Sequence, residues 1–206
     1  MLPGLLLWAA TVPAFASDLP FYGTPDFSPH WFSAELTGPE DFHRVADFSL
    51  TNQDGETITS HSISGKIYVA SFFFSTCPGI CPAIRSKLAR VQEHFADDEA
   101  VLILSHSIRP SFDTPEILRA YAVANSVQSE KWHLLTGNKA AIYKLARDSY
   151  FANEDLGSEE RLDDFLHTEN LLLVDQNRHI RGIYNGLSAS SVKHLIEDIE
   201  VLKAND

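Results

Sequence analysis

The sequence predicts an α/β sandwich with a central mixed sheet and an N-terminal hairpin. Three observations carry that reading. The run from Ile67 to Phe74 (IYVASFFF) is apolar on both alternating faces apart from Ser71, as a strand covered on both sides requires. Beyond it, apolar stripes at helical spacing alternate with short apolar, β-like runs. The chain then closes on a hairpin pattern followed by one more stripe.

Taken in order, residues 18 to 44 set Pro20, Pro25, Pro29 and Pro39 among Phe21, Tyr22, Phe27, Trp31 and Phe32 with no sustained period. That pattern reads as an extended arm anchored by its aromatics rather than a helix. Phe48-Ser-Leu50, the turn Asn52-Gln-Asp-Gly55 and Thr57-Ile58-Thr59 form a short hairpin. After the central strand, Ile84, Leu88, Val91 and Phe95 recur as the buried stripe of a helix, and Pro82 fits its first turn, where a missing N–H costs nothing. Val101 to Leu104 is the next strand, and Asp113-Thr-Pro-Glu116 opens a second helix with Thr114 or Asp113 as its cap. Trp132 to Leu135 is a short strand and Asn138 to Arg147 a third helix, followed by a polar, acidic surface insertion over residues 148 to 166. Leu171 to Val174, the turn from Asp175 to Arg178, and Ile180 to Tyr184 make the closing hairpin. Val192, Leu195, Ile196, Ile199 and Leu202 mark the last helix. Hairpin, β, α, β, α, β, α, ββ, α is the order of a thioredoxin-like sandwich.

The 206 residues suffice for one domain with a sizeable core, and 44% hydrophobic with 21% charged residues are ordinary globular values. The formal charge of −12 repels phosphate backbones and anionic lipid, which argues against nucleic-acid binding and against strong membrane association. At the N-terminus, Leu5 to Ala16 is apolar apart from Thr11 and ends in Ala14-Phe15-Ala16, an A-x-A cleavage pattern. The run is shorter than the ~20 residues of a membrane-spanning helix. The expected organisation is therefore a signal peptide over 1–16, the arm over 17–44 and the domain over 45–206. No Lys or Arg precedes the apolar run, so a short retained anchor stays open as an alternative. Export to the periplasm or another extracytoplasmic space would expose the cysteines to oxidation.

Both cysteines stand in Thr76-Cys-Pro-Gly-Ile-Cys-Pro82. Cys77 leaves the C-terminal end of the buried strand and Cys81 sits just before or within the first turn of the following helix, at the edge of an open α/β sheet where active sites gather. The helix N-terminus stabilises thiolate over thiol, so both sulfurs should be reactive or metal-binding. A disulfide closing so short a loop restricts the unfolded chain little and makes a poor staple. A thioredoxin oxidoreductase carries C-x-x-C and a later cis-proline, whereas the spacing here is C-x-x-x-C and no proline follows Pro115. The Pro-x-x-x-Thr/Ser frame of a peroxidatic cysteine is absent as well, since Phe73-Phe-Ser-Thr76 precedes Cys77. Three intervening residues let two thiolates turn toward one soft ion, Cu(I) or Zn(II), and an incomplete sulfur pair invites an imidazole. Of the nine histidines, His167 lies in the loop before the Leu171 strand, which passes beside this corner in a thioredoxin-like fold. His106, at the end of the Val101 strand, is its main competitor. The others (His30, His43, His61, His94, His133, His179 and His194) fall in the arm, on helix surfaces or in peripheral turns and read as solvated or capped side chains.

These residues resemble the Sco/SenC copper chaperones. The features that carry the resemblance are the C-x-x-x-C-P of Cys77 to Pro82, Asp113-Thr-Pro-Glu116, and His167 before Leu173-Val-Asp175 with Ile180-Arg-Gly182 beyond; it spans about residues 44 to 203. It implies a thioredoxin-like domain that binds copper, as Cu(I) with Cu(II) as a second state, through Cys77, Cys81 and His167, and that helps assemble the CuA centre of cytochrome c oxidase. The implied partners are the CuA-bearing oxidase subunit and a thioredoxin-like reductant, with the disulfide as the copper-free state. The family often has Asp-Pro ahead of the D-T-P element, where this chain has Arg109-Pro110. In place of the family's common transmembrane anchor, a cleavable signal is expected. On this reading the chain is a carrier rather than an enzyme. The rivals are a thiol-disulfide reductase that keeps the CuA cysteines reduced, and a copper sensor that binds the same ion without delivering it.

Overall fold

A computed structural model describes residues 19–32, 41–152 and 169–204. The expected signal peptide, most of the expected acidic insertion, and His167 lie outside the described residues.

Nine strands and four helices follow in the order β1 (Phe21–Tyr22), β2 (Pro29–His30), β3 (Ser49–Thr51), β4 (Thr57–Thr59), β5 (Ile67–Phe73), α1 (Cys81–His94), β6 (Val101–Ser107), α2 (Pro115–Ala124), β7 (Trp132–Leu135), α3 (Lys139–Asp148), β8 (Asn170–Val174), β9 (Ile180–Asn185) and α4 (Ala189–Ala204), counted among the described residues. The main sheet runs β2-β1-β9-β8-β5-β6-β7. β5, β6 and β7 are parallel, while β8 and β9 pair antiparallel, so the sheet is mixed as expected.

The apolar pattern of β5 follows from burial of all seven residues. Tyr68, Ala70 and Phe72 face one layer and Ile67, Val69 and Phe73 the other. The first layer holds Ile142, Leu145 and Ala146 of α3 with Leu50 and Ile58 of the β3–β4 hairpin. The second holds Ile84, Leu88 and Val91 of α1, Leu118 of α2, and Val192, Leu195 and Ile199 of α4. Each such aliphatic side chain contributes about 1.5–3 kcal/mol by leaving water.

The arm does more than lie along the surface. Tyr22 pairs with Ile180 and β2 folds back on β1, so residues 21–30 extend the sheet past β9 and cover that edge. Arg181 fixes the junction. Its guanidinium lies 3.8 Å from the Phe21 ring centre, donates to the carbonyls of Leu19 and Pro20, and pairs with buried Asp175 at 3.0 Å. The short hairpin forms a separate two-stranded sheet, joined to the rest by a bridge from Thr51 to Thr136. On β9, Gly182 is obligatory because a Cβ there would stand 2.2 Å from the Tyr184 hydroxyl, which folds back to donate to Asp198 of α4 at 2.6 Å.

Candidate metal centre

β5 ends at Phe73, whose carbonyl accepts from the Ile108 N–H just past β6. The chain then turns, the Cys77 N–H bonding the Phe74 carbonyl at 3.2 Å, and α1 starts at Cys81 with Pro82 in its first turn. The N-cap residue Ile80 supplies no capping side chain, and no acidic residue lies in the first turn. The Cys77 sulfur lies at this helix start, where the backbone N–H groups of Gly79, Ile80 and Cys81 favour its thiolate.

The two thiols are free, and their surroundings differ: Cys77 is half-buried and Cys81 buried. Burial acts to raise the Cys77 thiol, but the hydrogen bond from the Cys81 thiol and those from the backbone outweigh it and hold it below its ordinary pKa. The Cys81 thiol is pushed up to about 12, first by burial and then because donating to Cys77 favours its protonated form. One sulfur is thus an accessible, activated nucleophile and the other a buried proton holder.

Residues far away in sequence set this turn. Asp113 is fully buried in the loop from β6 to α2, and its carboxylate accepts from the Ser75 N–H at 3.2 Å, the Ser75 hydroxyl at 2.5 Å and the Ser107 hydroxyl at 2.5 Å. Of the two candidate caps for α2 it is Thr114 that serves, its hydroxyl accepting from Ile117, which leaves Asp113 to join the strand ends. Arg109 in the same loop donates to the Thr76 hydroxyl at 3.0 Å, with its guanidinium over the rings of Phe74 and Phe112 at 5.6 and 5.2 Å. Sequence reasoning missed the Ser75–Ser107–Asp113 web. Ser75 lies more than thirty positions from Ser107 and Asp113, and D-T-P reads locally as a cap.

The histidines separate cleanly. His106 shares strand parity with Leu102 and Leu104, so it faces the α3 layer, across the sheet from α1. It is fully buried among Phe72, Tyr150 and Phe48 and cannot reach the cysteine pair, which removes it as a competitor. His179 is buried rather than solvated, with Nδ1 donating to the His43 carbonyl at 2.9 Å, and His133 is half-buried on β7. His30, His61, His94 and His194 are exposed. Cys77 and Cys81 come together as expected, while His167 lies outside the described residues. Among the described residues, no group of three His, Cys, Asp or Glu side chains is placed to hold a metal. No helix among them is long and apolar enough to cross a membrane.

A model of the SCO1/SenC family matches residues 37–203, most of the chain and both cysteines. The chain belongs to the SCO1/SenC family. A SCO1 protein homolog of Bacillus subtilis strain 168 is 28% identical over 160 residues, spanning 77% of this chain and 82% of the relative. A SCO1/SenC family lipoprotein from Bacillus anthracis strain Ames superposes with a TM-score of 0.70 at 28% identity, covering 82% of this chain and 99% of its own. BsSco, described with a disulfide switch as a member of the Sco family of cytochrome c oxidase assembly proteins, gives a TM-score of 0.69 at 26% identity, covering 82% and 98%. The fold is accordingly that of the thioredoxin-like Sco domains.

Proposed function

We propose that this Sco protein is an exported copper metallochaperone, holding Cu(I) between Cys77, Cys81 and His167 and delivering it to the CuA-bearing subunit of cytochrome c oxidase. The observation that carries the reading is the pair of free thiols at the start of α1, one activated and accessible and the other buried behind it. Two thiolates and a neutral imidazole give Cu(I) a three-coordinate soft site of net charge near −1, offset by the N–H groups of the helix start. Cys77, at the surface, is the sulfur that a partner's thiolate meets first. Exchange begins there while Cys81 still holds the ion. Residues 1–16 act as the export signal and 17–44 as the arm ahead of the carrier domain.

Oxidation of the two thiols to a disulfide gives up two electrons and two protons and removes both sulfur ligands, so a dithiol reductant has to precede copper loading. The disulfide switch described for BsSco, an oxidase assembly protein of the same family, supports a redox change at such a cysteine pair. Anaerobic titration of the reduced protein with Cu(I) tests the reading. One equivalent should bind with two sulfurs and one nitrogen in X-ray absorption, and a Cys77→Ser, Cys81→Ser variant that bound as tightly would refute it.

A second reading draws on the same asymmetry. An accessible low-pKa thiol beside a buried high-pKa one is also the arrangement of an attacking and a resolving cysteine in a thiol-disulfide reductase. His167→Ala separates the two. A carrier loses copper loading and oxidase maturation, whereas a reductase keeps thiol exchange and oxidase activity.

A further inference from the structure

Each of the three residues leading into Cys77 is held from the loop between β6 and α2. Ser75 is held by buried Asp113, through its N–H and its hydroxyl. Phe74 lies under the face of the Arg109 guanidinium, and the Thr76 hydroxyl accepts from Arg109 Nη1. The base of Arg109 is itself fixed. Its N–H donates to the Ser107 hydroxyl at 3.1 Å, its carbonyl accepts from Phe112 and Asp113 at 2.9 Å each, and Phe112 covers the guanidinium at 5.2 Å. A planar cation stacked between two rings with one N–H directed at a hydroxyl has few other orientations open to it. Thr76 is exposed, and its bond to Arg109 adds a tether from outside the turn to the Cys77 N–H bond to the Phe74 carbonyl within it.

We infer that Arg109 is a positioning residue for the metal site: by holding Phe74 and Thr76 it fixes the turn that presents the Cys77 sulfur, and so slows release of a bound soft metal ion. The inference rests on the copper-carrier reading and adds to it a residue outside the ligand set. It makes Arg109 act through Thr76 and the turn rather than as a distant positive charge. Arg85, which stacks on Tyr121 at 6.0 Å from α1 and bonds Asn125, carries the same charge on that face without touching residues 74–76.

The test measures Cu(I) transfer from the loaded, reduced full-length chain to an excess of a chromophoric Cu(I) chelator, beside amide hydrogen exchange of the reduced copper-free chain. Arg109→Ala and Thr76→Val are each expected to speed release about tenfold, the equivalent of one lost charge-assisted hydrogen bond. The double variant should be no faster than Arg109→Ala alone, because that substitution already removes the bond to Thr76 along with the contact to Phe74. Arg109→Lys, which keeps the charge and a donor but not the stacked plane, should recover part of the loss, and Arg85→Ala should change nothing. Exchange over residues 74–80 should quicken in Arg109→Ala, with thermal unfolding lowered by no more than the few degrees that one lost hydrogen bond costs. Multiplicative effects of the two single variants, an equal effect of Arg85→Ala, or unaltered exchange at 74–80 would overturn the inference. Failure of the wild-type chain to take up Cu(I) would instead overturn the copper reading, and hydrogen exchange would then decide the positioning role alone.

Discussion

The Nε2 of His106 is buried with no hydrogen-bond partner, and its Nδ1 lies 3.4 Å from the Ser71 carbonyl. Burial lowers its pKa from 6.5 to about 4. Above pH 6.5 the folded and unfolded chains are both neutral at this residue. Between pH 6.5 and 4 the unfolded chain takes up the proton and the folded one does not, so stability falls across that window by about 3 kcal/mol. His133 and His179, lowered chiefly by burial, add loss of the same sign. His106→Phe should flatten the decline in denaturant midpoint between pH 7 and 5 without changing copper stoichiometry; an unchanged slope would show that His106 is not its source. Cys81 makes the complementary prediction for binding. Its thiol is pushed up to about 12 by burial, so on the carrier reading a bound Cu(I) would have to displace that proton. Cu(I) affinity should rise by about tenfold or more per pH unit between 6 and 8, and competition titrations at several pH values will read it directly.

At the scale of elements, the join between β5, β6 and α2 matters most to the site, and Asp113 is its centre. Asp113→Ala would leave the donors of Ser75 and Ser107 in or near the interior without their acceptor, at a cost of about 2–4 kcal/mol. Asp113→Asn, which keeps one oxygen acceptor, should lose less. Urea unfolding of the reduced proteins measures both, and equal losses would show that the carboxylate is not what joins the strands. The elements themselves were legible because their stripes are local: Ile84, Leu88 and Val91 announce α1, and the unbroken run of β5 announces a strand covered twice. The C-x-x-x-C corner followed from placing those two elements end to end. What holds the corner was not legible. Asp113 and Arg109 act across the gap between strand ends, and nothing in the spacing of S-T-C or R-P-S-F-D says that these loops meet. His106 stood as a competitor because it ends a neighbouring strand, and sharing a sheet edge says nothing about which side of the sheet a residue faces.

Across the whole molecule, the arm and the cysteines belong to opposite ends of one sheet. Ile180, where β1 docks, pairs with Val174, which pairs with Tyr68 near the start of β5, whereas Cys77 follows its end. The arm was read from its prolines and aromatics as an anchored extension. That it supplies two short strands and closes the β9 edge depends on Arg181 and Asp175, more than 150 positions away. A variant lacking residues 1–32 loses the buried Phe21 side chain, its contact with the Arg181 guanidinium and the two carbonyls that this group meets. Those losses amount to about 3–5 kcal/mol and leave β9 as an open edge able to pair with another copy. The expected result is a lower denaturant midpoint and concentration-dependent association in size-exclusion chromatography. Cu(I) stoichiometry and release rate should match the full chain, because the arm docks at the end of the sheet opposite to Cys77. Release that quickened with removal of the arm would show that the two ends are coupled and would place the arm in the copper cycle.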